Sequence, residues 1–194
     1  MDIRIHRRSI AVLAAATAVV AATVATVAAG QDGGPFSAYV AKDGAISRPT
    51  DYREKFEHIG SSAVASKPGG TIDEIHNVYS RPEDVKAFRR DGKFPDGAVL
   101  VKEVTKAGSE KLTAGEAHWS TDDKLWFVLI KDAKGRFPGN ALWGDGWGWG
   151  LFLANEPAKN VATDYKVDCR TCHIPAKKDD WLYVRVYPAL RKGR

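Results

Sequence analysis

The five-residue segment Cys169-Arg170-Thr171-Cys172-His173 constrains this chain more than any other, and it holds both of the chain's cysteines. Two thiols with a two-residue spacer can form thioether bonds to the two vinyl groups on one edge of a porphyrin. The histidine that follows is then placed to give a ring nitrogen to the iron. The segment therefore predicts one covalently attached haem c, held by Cys169 and Cys172, with His173 as an iron ligand.

Other uses of the cysteine pair fit the sequence less well. A disulfide across so short a spacer would remove little entropy from the unfolded chain. A thioredoxin-like dithiol normally opens a helix within a βαβ unit, and no such unit is predicted here. A zinc site would need a second cysteine pair or nearby histidines, whereas His58, His76 and His118 are far apart in sequence.

The first 29 residues have the order of a secretory signal peptide. Arg4, Arg7 and Arg8 precede an alanine-rich apolar run that ends near Ala29. An uncleaved membrane anchor is the alternative, because about 18 apolar residues can span a bilayer, but alanine contributes little transfer free energy. We predict a signal peptide over residues 1–29, a single haem-binding domain over residues 30–194 and a periplasmic location.

The charge of the chain excludes one class of partner. The formal net charge is +5, from 29 basic and 24 acidic residues, and falls to +3 without the leader, which holds three arginines and one aspartate. The basic residues are scattered rather than clustered as phosphate binding requires. We therefore expect no nucleic-acid partner.

The predicted domain has an α+β pattern. Residues that favour turns separate short segments of alternating polarity. These segments predict strands over residues 74–79, 98–105, 116–119, 125–131, 147–154 and 181–187, with a reversal at Asp122-Asp123. Cap residues predict helices over residues 51–60 and 80–92. Because helices and strands do not alternate regularly, the expected architecture is mainly an antiparallel β-sheet with a few packed helices.

The second axial position of the predicted haem lacks the usual ligand. The sole methionine is Met1, which lies in the leader. One of the three other histidines noted above, a lysine, an exogenous molecule or nothing would then occupy this position. We favour an open or weakly occupied position, which lets a haem protein bind gases or act on a substrate.

Lys102 lies in an apolar setting that needs an explanation. Strand alternation places it on the same face as Ala98, Leu100 and Val104. Burying an ammonium without a partner is costly. Lys102 is therefore predicted either to point at the haem or to reach water at the end of its strand.

A tryptophan-glycine tract offers a second alternating pattern. It places Trp147 and Trp149 on one face of a strand and Gly148 and Gly150 on the other. The bare glycine face could let a porphyrin or another strand approach the backbone closely. Ordinary aromatic packing is the alternative.

Taken in order, these residues resemble the cytochrome P-460 family, which includes cytochrome c-prime-beta. The resemblance is carried by short segments spread over nearly the whole predicted domain, in the family's order and spacing. They are Asp51-Tyr52-Arg53, Val78-Tyr79 with Pro82-Glu83, Phe94 through Glu103, Lys131-Asp132 with Arg136-Phe137, the haem motif, and Tyr187-Pro188-Ala189-Leu190.

The resemblance implies a mainly antiparallel β fold, a homodimer and a five-coordinate haem. In enzymatic members a lysine is cross-linked to the porphyrin and hydroxylamine is oxidised, and Lys102 matches the motif of that lysine. His76 falls where these members have a distal arginine, and Phe127 where they have a carboxylate that accepts protons. An aromatic residue there is similar to cytochrome c-prime-beta, whose members bind nitric oxide.

Three functions follow as expectations. The first is binding or handling of a small nitrogen species such as nitric oxide at an open iron site. The second is oxidation of hydroxylamine through a lysine-linked haem, with Lys102, His76 and Phe127 in the distal pocket. The third is simple electron transfer. The redox partner is not indicated by the sequence.

Overall fold

The computed structural model describes residues 36–191, and an antiparallel sheet of seven strands dominates them. The strands are β1 Glu57–Ala65, β2 Ile72–Ser80, β3 Val99–Leu112, β4 Gly115–Lys131, β5 Trp143–Gly144, β6 Trp147–Leu153 and β7 Glu156–Asn160. Their order across the sheet is β1-β2-β3-β4-β6-β5, and β7 also pairs with β6. The predicted α+β class with a mainly antiparallel sheet is confirmed.

Short helices lie around this sheet. The α-helices are α1 Tyr52–Lys55, α2 Pro82–Asp91, α3 Tyr165–Asp168 and α4 Arg170–His173, and 3-10 helices span Ile174–Asp179, Val184–Val186 and Pro188–Leu190. The predicted end of α2 is confirmed, since Gly92 adopts φ 74° and donates its N–H to Phe88. Its predicted start is not, because the Ser80 hydroxyl donates to the Val99 carbonyl instead of capping the helix.

Three predicted elements differ from the structure. The helix expected over residues 51–60 stops after one turn, because Glu57 onward pairs with β2. The expected reversal at Asp122-Asp123 lies inside β4, where pairing with β3 continues through an irregular register. The strand expected over residues 181–187 is replaced by 3-10 turns, beginning at Trp181 with φ 67°.

The sheet separates two apolar layers, as strand alternation predicts. The cavity-side layer includes Val78, Ala98, Leu100, Trp147, Trp149, Cys169 and Leu182. The opposite layer includes Val99, Val101, Val128, Ile130, Trp143 and Phe152.

The bare glycine face of β6 belongs to the opposite layer. A Cβ atom added at Gly148 would lie 2.6 Å from the Trp143 ring. Gly148 therefore makes room for the Trp143 ring and not for a porphyrin. Of the two interpretations of the tract, ordinary aromatic packing is the one that holds at this glycine.

No helix within residues 36–191 is long and apolar enough to cross a membrane. The predicted signal peptide lies outside the described residues. The leader and the periplasmic location therefore stay predictions.

Candidate functional site

A cavity of about 350 Å³ lies between one face of the sheet and the segment that contains the two cysteines. Strands β1, β2, β3, β4 and β6 form one wall, and the chain from Asp168 to Tyr187 forms the other. Each of the six residues singled out from the sequence lines this cavity. They are His76, Lys102, Phe127, Cys169, Cys172 and His173.

The cysteine segment is shaped by two short helices. The Asp164 side chain caps α3 by accepting the Lys166 N–H at 2.8 Å. Cys169 ends α3 and immediately precedes α4, so Cys172 and His173 follow within one turn. Cys169 is buried and Cys172 is exposed. Burial raises the pKa of the Cys169 thiol to about 12, so that thiol is neutral at physiological pH.

His173 is oriented by a backbone contact. Its Nδ1 atom lies 2.6 Å from the carbonyl oxygen of Trp181, so Nδ1 carries the hydrogen and donates it. The other ring nitrogen, Nε2, then keeps a free lone pair, which is the tautomer that a metal ligand needs. Burial lowers the pKa of His173, which favours this neutral form. The edge-on ring of Trp149, with a centroid 5.1 Å away, packs against the imidazole.

Two ion pairs attach the cysteine segment to the sheet. Lys131 Nζ lies 2.7 Å from both carboxylate oxygens of Asp180, and Arg170 Nε lies 2.8 Å from Asp145. The indole N–H of Trp147 also donates to the Asp180 carbonyl at 3.0 Å. These contacts fix the loop that supplies the Trp181 carbonyl, and thereby the direction of the His173 ring.

Replacing Lys131 with methionine tests this attachment. Lys131 is only 12% exposed, and its loss would leave the Asp180 carboxylate, 34% exposed, without its cation. We expect the free energy of unfolding to fall by about 1–3 kcal/mol, measured by chemical denaturation. Lys159→Met is the matched control, because its pair with Glu156 is long and exposed, and a change within about 0.5 kcal/mol is expected there. Equal effects of the two replacements would contradict this role of Lys131.

Lys102 faces the cavity and not the outer solvent. Its ammonium lies 4.3 Å from the centroid of the Phe127 ring, directly across the strand pair. Within residues 36–191 it has no hydrogen bond or ion pair, and burial lowers its pKa. A half-buried amine that lines an apolar cavity without a hydrogen-bond partner is a group available to a bound molecule.

His76 lines the cavity and bonds to Glu74, a residue that the sequence analysis did not single out. His76 Nε2 lies 2.9 Å from Glu74 Oε2, and the same carboxylate group pairs with Lys124. Glu74 and His76 are two residues apart on β2, so strand alternation alone would have placed them on one face. The Glu74 carboxylate does not itself line this cavity and adjoins it through His76.

The other two histidines lie elsewhere. His58 is exposed and bonds to Ser61, and His118 lies in the outer part of the β3–β4 pair opposite Ser109. Neither lines the cavity. Among the described histidines, His76 is the one that shares the cavity with His173.

The residues present fit a haem. The cavity places two thiols and an imidazole with a free ring nitrogen on one wall, against an apolar sheet face that suits a porphyrin. Such an arrangement defines a β-rich haem protein. Residues 49–184 match the family model for cytochrome P460, so the chain belongs to the cytochrome P460 family and is a haem cytochrome. In the comparison with curated proteins, nothing matches the chain.

Proposed function

We propose that this protein is an exported cytochrome with a single haem c that binds small nitrogen species such as nitric oxide. Cys169 and Cys172 would hold the haem and His173 would bind its iron. The observation that carries this proposal is the single cavity that brings these residues together with Lys102, Phe127 and His76. A homodimer, as the family resemblance implies, is part of the proposal.

The chemistry of the cavity supports a neutral diatomic ligand. A bound haem would supply an iron with one position for such a ligand. The Trp181 carbonyl keeps His173 Nε2 directed away from its backbone contact, and Val78, Leu100 and Phe127 line the cavity with apolar surface. Apolar walls exclude water and favour small uncharged molecules over hydrated ions.

Two observations favour oxidation of hydroxylamine as a second candidate. Lys102 lines the cavity that would hold the haem, where it could bond to the porphyrin, and His76, paired with Glu74, would supply a proton acceptor. Oxidation of hydroxylamine removes protons together with electrons, so a base is required.

One set of optical spectra separates the candidates. For the ferrous protein we expect a high-spin c-type spectrum that changes on addition of nitric oxide. A strongly red-shifted Soret band that is lost in Lys102→Arg would support the hydroxylamine reaction instead. A low-spin spectrum with sharp α and β bands, unchanged by nitric oxide, would contradict an open site and indicate a simple electron carrier.

A further inference from the structure

Tyr187 lines the cavity with a hydroxyl group that has no hydrogen-bond partner within residues 36–191. The residue is 8% exposed, and its ring belongs to the cavity-side apolar layer. Among the fully enclosed polar side-chain atoms in this part of the chain, those without a partner are His118 Nδ1 and Asn160 Nδ2. The Tyr187 hydroxyl is not one of them, so it reaches the open space of the cavity.

The backbone around Tyr187 is held firmly against β1. A Cβ atom added at Gly60 would lie 2.7 Å from the Val186 carbonyl oxygen and 3.1 Å from the Tyr187 Cα atom. The Tyr187 N–H donates to the Val184 carbonyl at 3.1 Å, and its own carbonyl accepts the Leu190 N–H at 3.1 Å. The phenol therefore projects from a fixed turn, and burial of the ring keeps it from turning toward the outer solvent.

A second tyrosine of the cavity has its hydroxyl already in use. Tyr183 lines the same cavity, but its hydroxyl donates to the Cys172 carbonyl at 2.6 Å and so helps to hold the cysteine segment. Nearly all buried polar groups in folded proteins have a partner. The Tyr187 hydroxyl has none in the described chain, which makes it the tyrosine hydroxyl of this cavity that a bound molecule can engage.

The electrostatic surroundings of Tyr187 decide which kind of molecule fits. Burial raises the pKa of Tyr187 to about 12, and Tyr183 raises it further. The hydroxyl is therefore protonated at physiological pH and able to donate a hydrogen bond. Within residues 36–191 no cationic side chain shifts this pKa. A haem propionate or another anion beside Tyr187 would thus be buried without a cation, which is costly, whereas an uncharged acceptor has no such cost.

We propose that the Tyr187 hydroxyl donates a hydrogen bond to an uncharged ligand of the haem iron, at an oxygen atom that points away from the metal. Tyr187 would thereby favour ligands with an outer acceptor atom, such as nitric oxide, over apolar molecules of the same size. The hydroxyl keeps its proton, so its role is binding and not acid–base chemistry. This inference rests on the proposed open haem site and adds a residue that selects its ligand.

Infrared spectroscopy of the carbon monoxide complex of the ferrous holoprotein tests the inference. A hydrogen bond to the outer oxygen lowers the C–O stretching frequency, so Tyr187→Phe should raise that frequency. Tyr79→Phe is the matched control, because Tyr79 packs in the opposite layer, where its ring contacts Tyr52. The control should keep the C–O band at its wild-type position.

Dissociation of nitric oxide from the ferrous holoprotein, followed by stopped flow with a scavenger, gives a second measurement. Loss of one hydrogen bond should make dissociation about fivefold faster in Tyr187→Phe and leave it unchanged in Tyr79→Phe. Phenylalanine retains the ring and its packing. Without ligand, the Tyr187→Phe holoprotein should therefore unfold at the same or a higher guanidinium concentration than the wild type, because the lost hydroxyl has no partner there.

Several results would overturn the inference. An unchanged C–O frequency and dissociation rate in Tyr187→Phe, or equal changes in Tyr79→Phe, would show that the hydroxyl does not reach the ligand. Easier unfolding of the ligand-free Tyr187→Phe holoprotein would show that the hydroxyl already has a partner, such as a propionate. If neither gas binds the wild type, the open haem site is wrong and the inference falls with it. Binding that Tyr187→Phe leaves unaltered refutes the role of Tyr187 alone.

Discussion

Replacing Cys169 and Cys172 together with serine is expected to abolish covalent haem attachment completely. Hydroxyl groups do not form thioether bonds to vinyl groups, and the chain contains no further cysteine. Mass spectrometry of the denatured protein should show the haem mass on the wild type and none on the double variant. Cys172→Ser alone should lose its thioether and leave at most the bond to Cys169.

The variable positions of the motif offer a control for this experiment. Thr171 lies between the cysteines, exposed, with its hydroxyl donating to the Lys166 carbonyl at 3.4 Å. Thr171→Ser keeps this hydroxyl and both thiols, so full attachment is expected. Haem that stays covalently bound in the double cysteine variant would refute the attachment through Cys169 and Cys172.

Replacing Lys102 with methionine is expected to stabilise the folded protein. The Lys102 side chain is half-buried in the cavity, with an aromatic ring beside its ammonium and without an ion pair within residues 36–191. Methionine is similar in length and needs no polar partner. We expect the free energy of unfolding at neutral pH to rise by about 1–3 kcal/mol, the cost of a polar group buried without compensation.

The stabilisation should depend on pH in one direction. Burial lowers the pKa of Lys102 in the folded state below its unfolded value of about 10.4. Below the folded pKa both states are charged and the penalty is complete. As the pH rises from the folded to the unfolded pKa, the folded state is neutral while the unfolded state still binds a proton, so wild-type stability rises. The difference in free energy of unfolding between Lys102→Met and the wild type should therefore become smaller at alkaline pH.

Guanidinium denaturation of both proteins at neutral and alkaline pH measures this effect. Lys106→Met is the control on the same strand, because Lys106 is exposed and its nearest carboxylate, on Asp122, is 3.4 Å away. Its change should stay within about 0.5 kcal/mol. A loss of stability in Lys102→Met would contradict a free ammonium and is the result expected if this side chain is bonded to the porphyrin.

Several predictions from the sequence depended on local rules and were confirmed. Alternation on β3 placed Lys102 on the face of Ala98 and Leu100, and the structure puts all three on the cavity side. Gly92 ended α2 as predicted, because a left-handed residue is needed there and glycine adopts it without strain.

Other predictions failed where pairing or packing outweighed local preference. Asp122 and Asp123 have the composition of a turn, yet hydrogen bonding across β3 and β4 keeps the chain extended. Residues 181–187 alternate like a strand, but Trp181 turns with positive φ so that its carbonyl meets His173. The contact between Glu74 and His76 was not predicted either, although their two-residue spacing on one strand places both side chains on one face.

The sequence by itself determined the chemistry of the cavity wall that the cysteine segment forms. Two thiols and an imidazole within five residues define a haem motif without a distant partner. Only the tertiary structure decided what faces them. His76, Lys102 and Phe127 come from three strands, and their meeting depends on the register in which β2, β3 and β4 pair. Register depends on the turn that joins two strands and on the match between their buried faces, so the sequence of one strand alone does not indicate which residues it will meet.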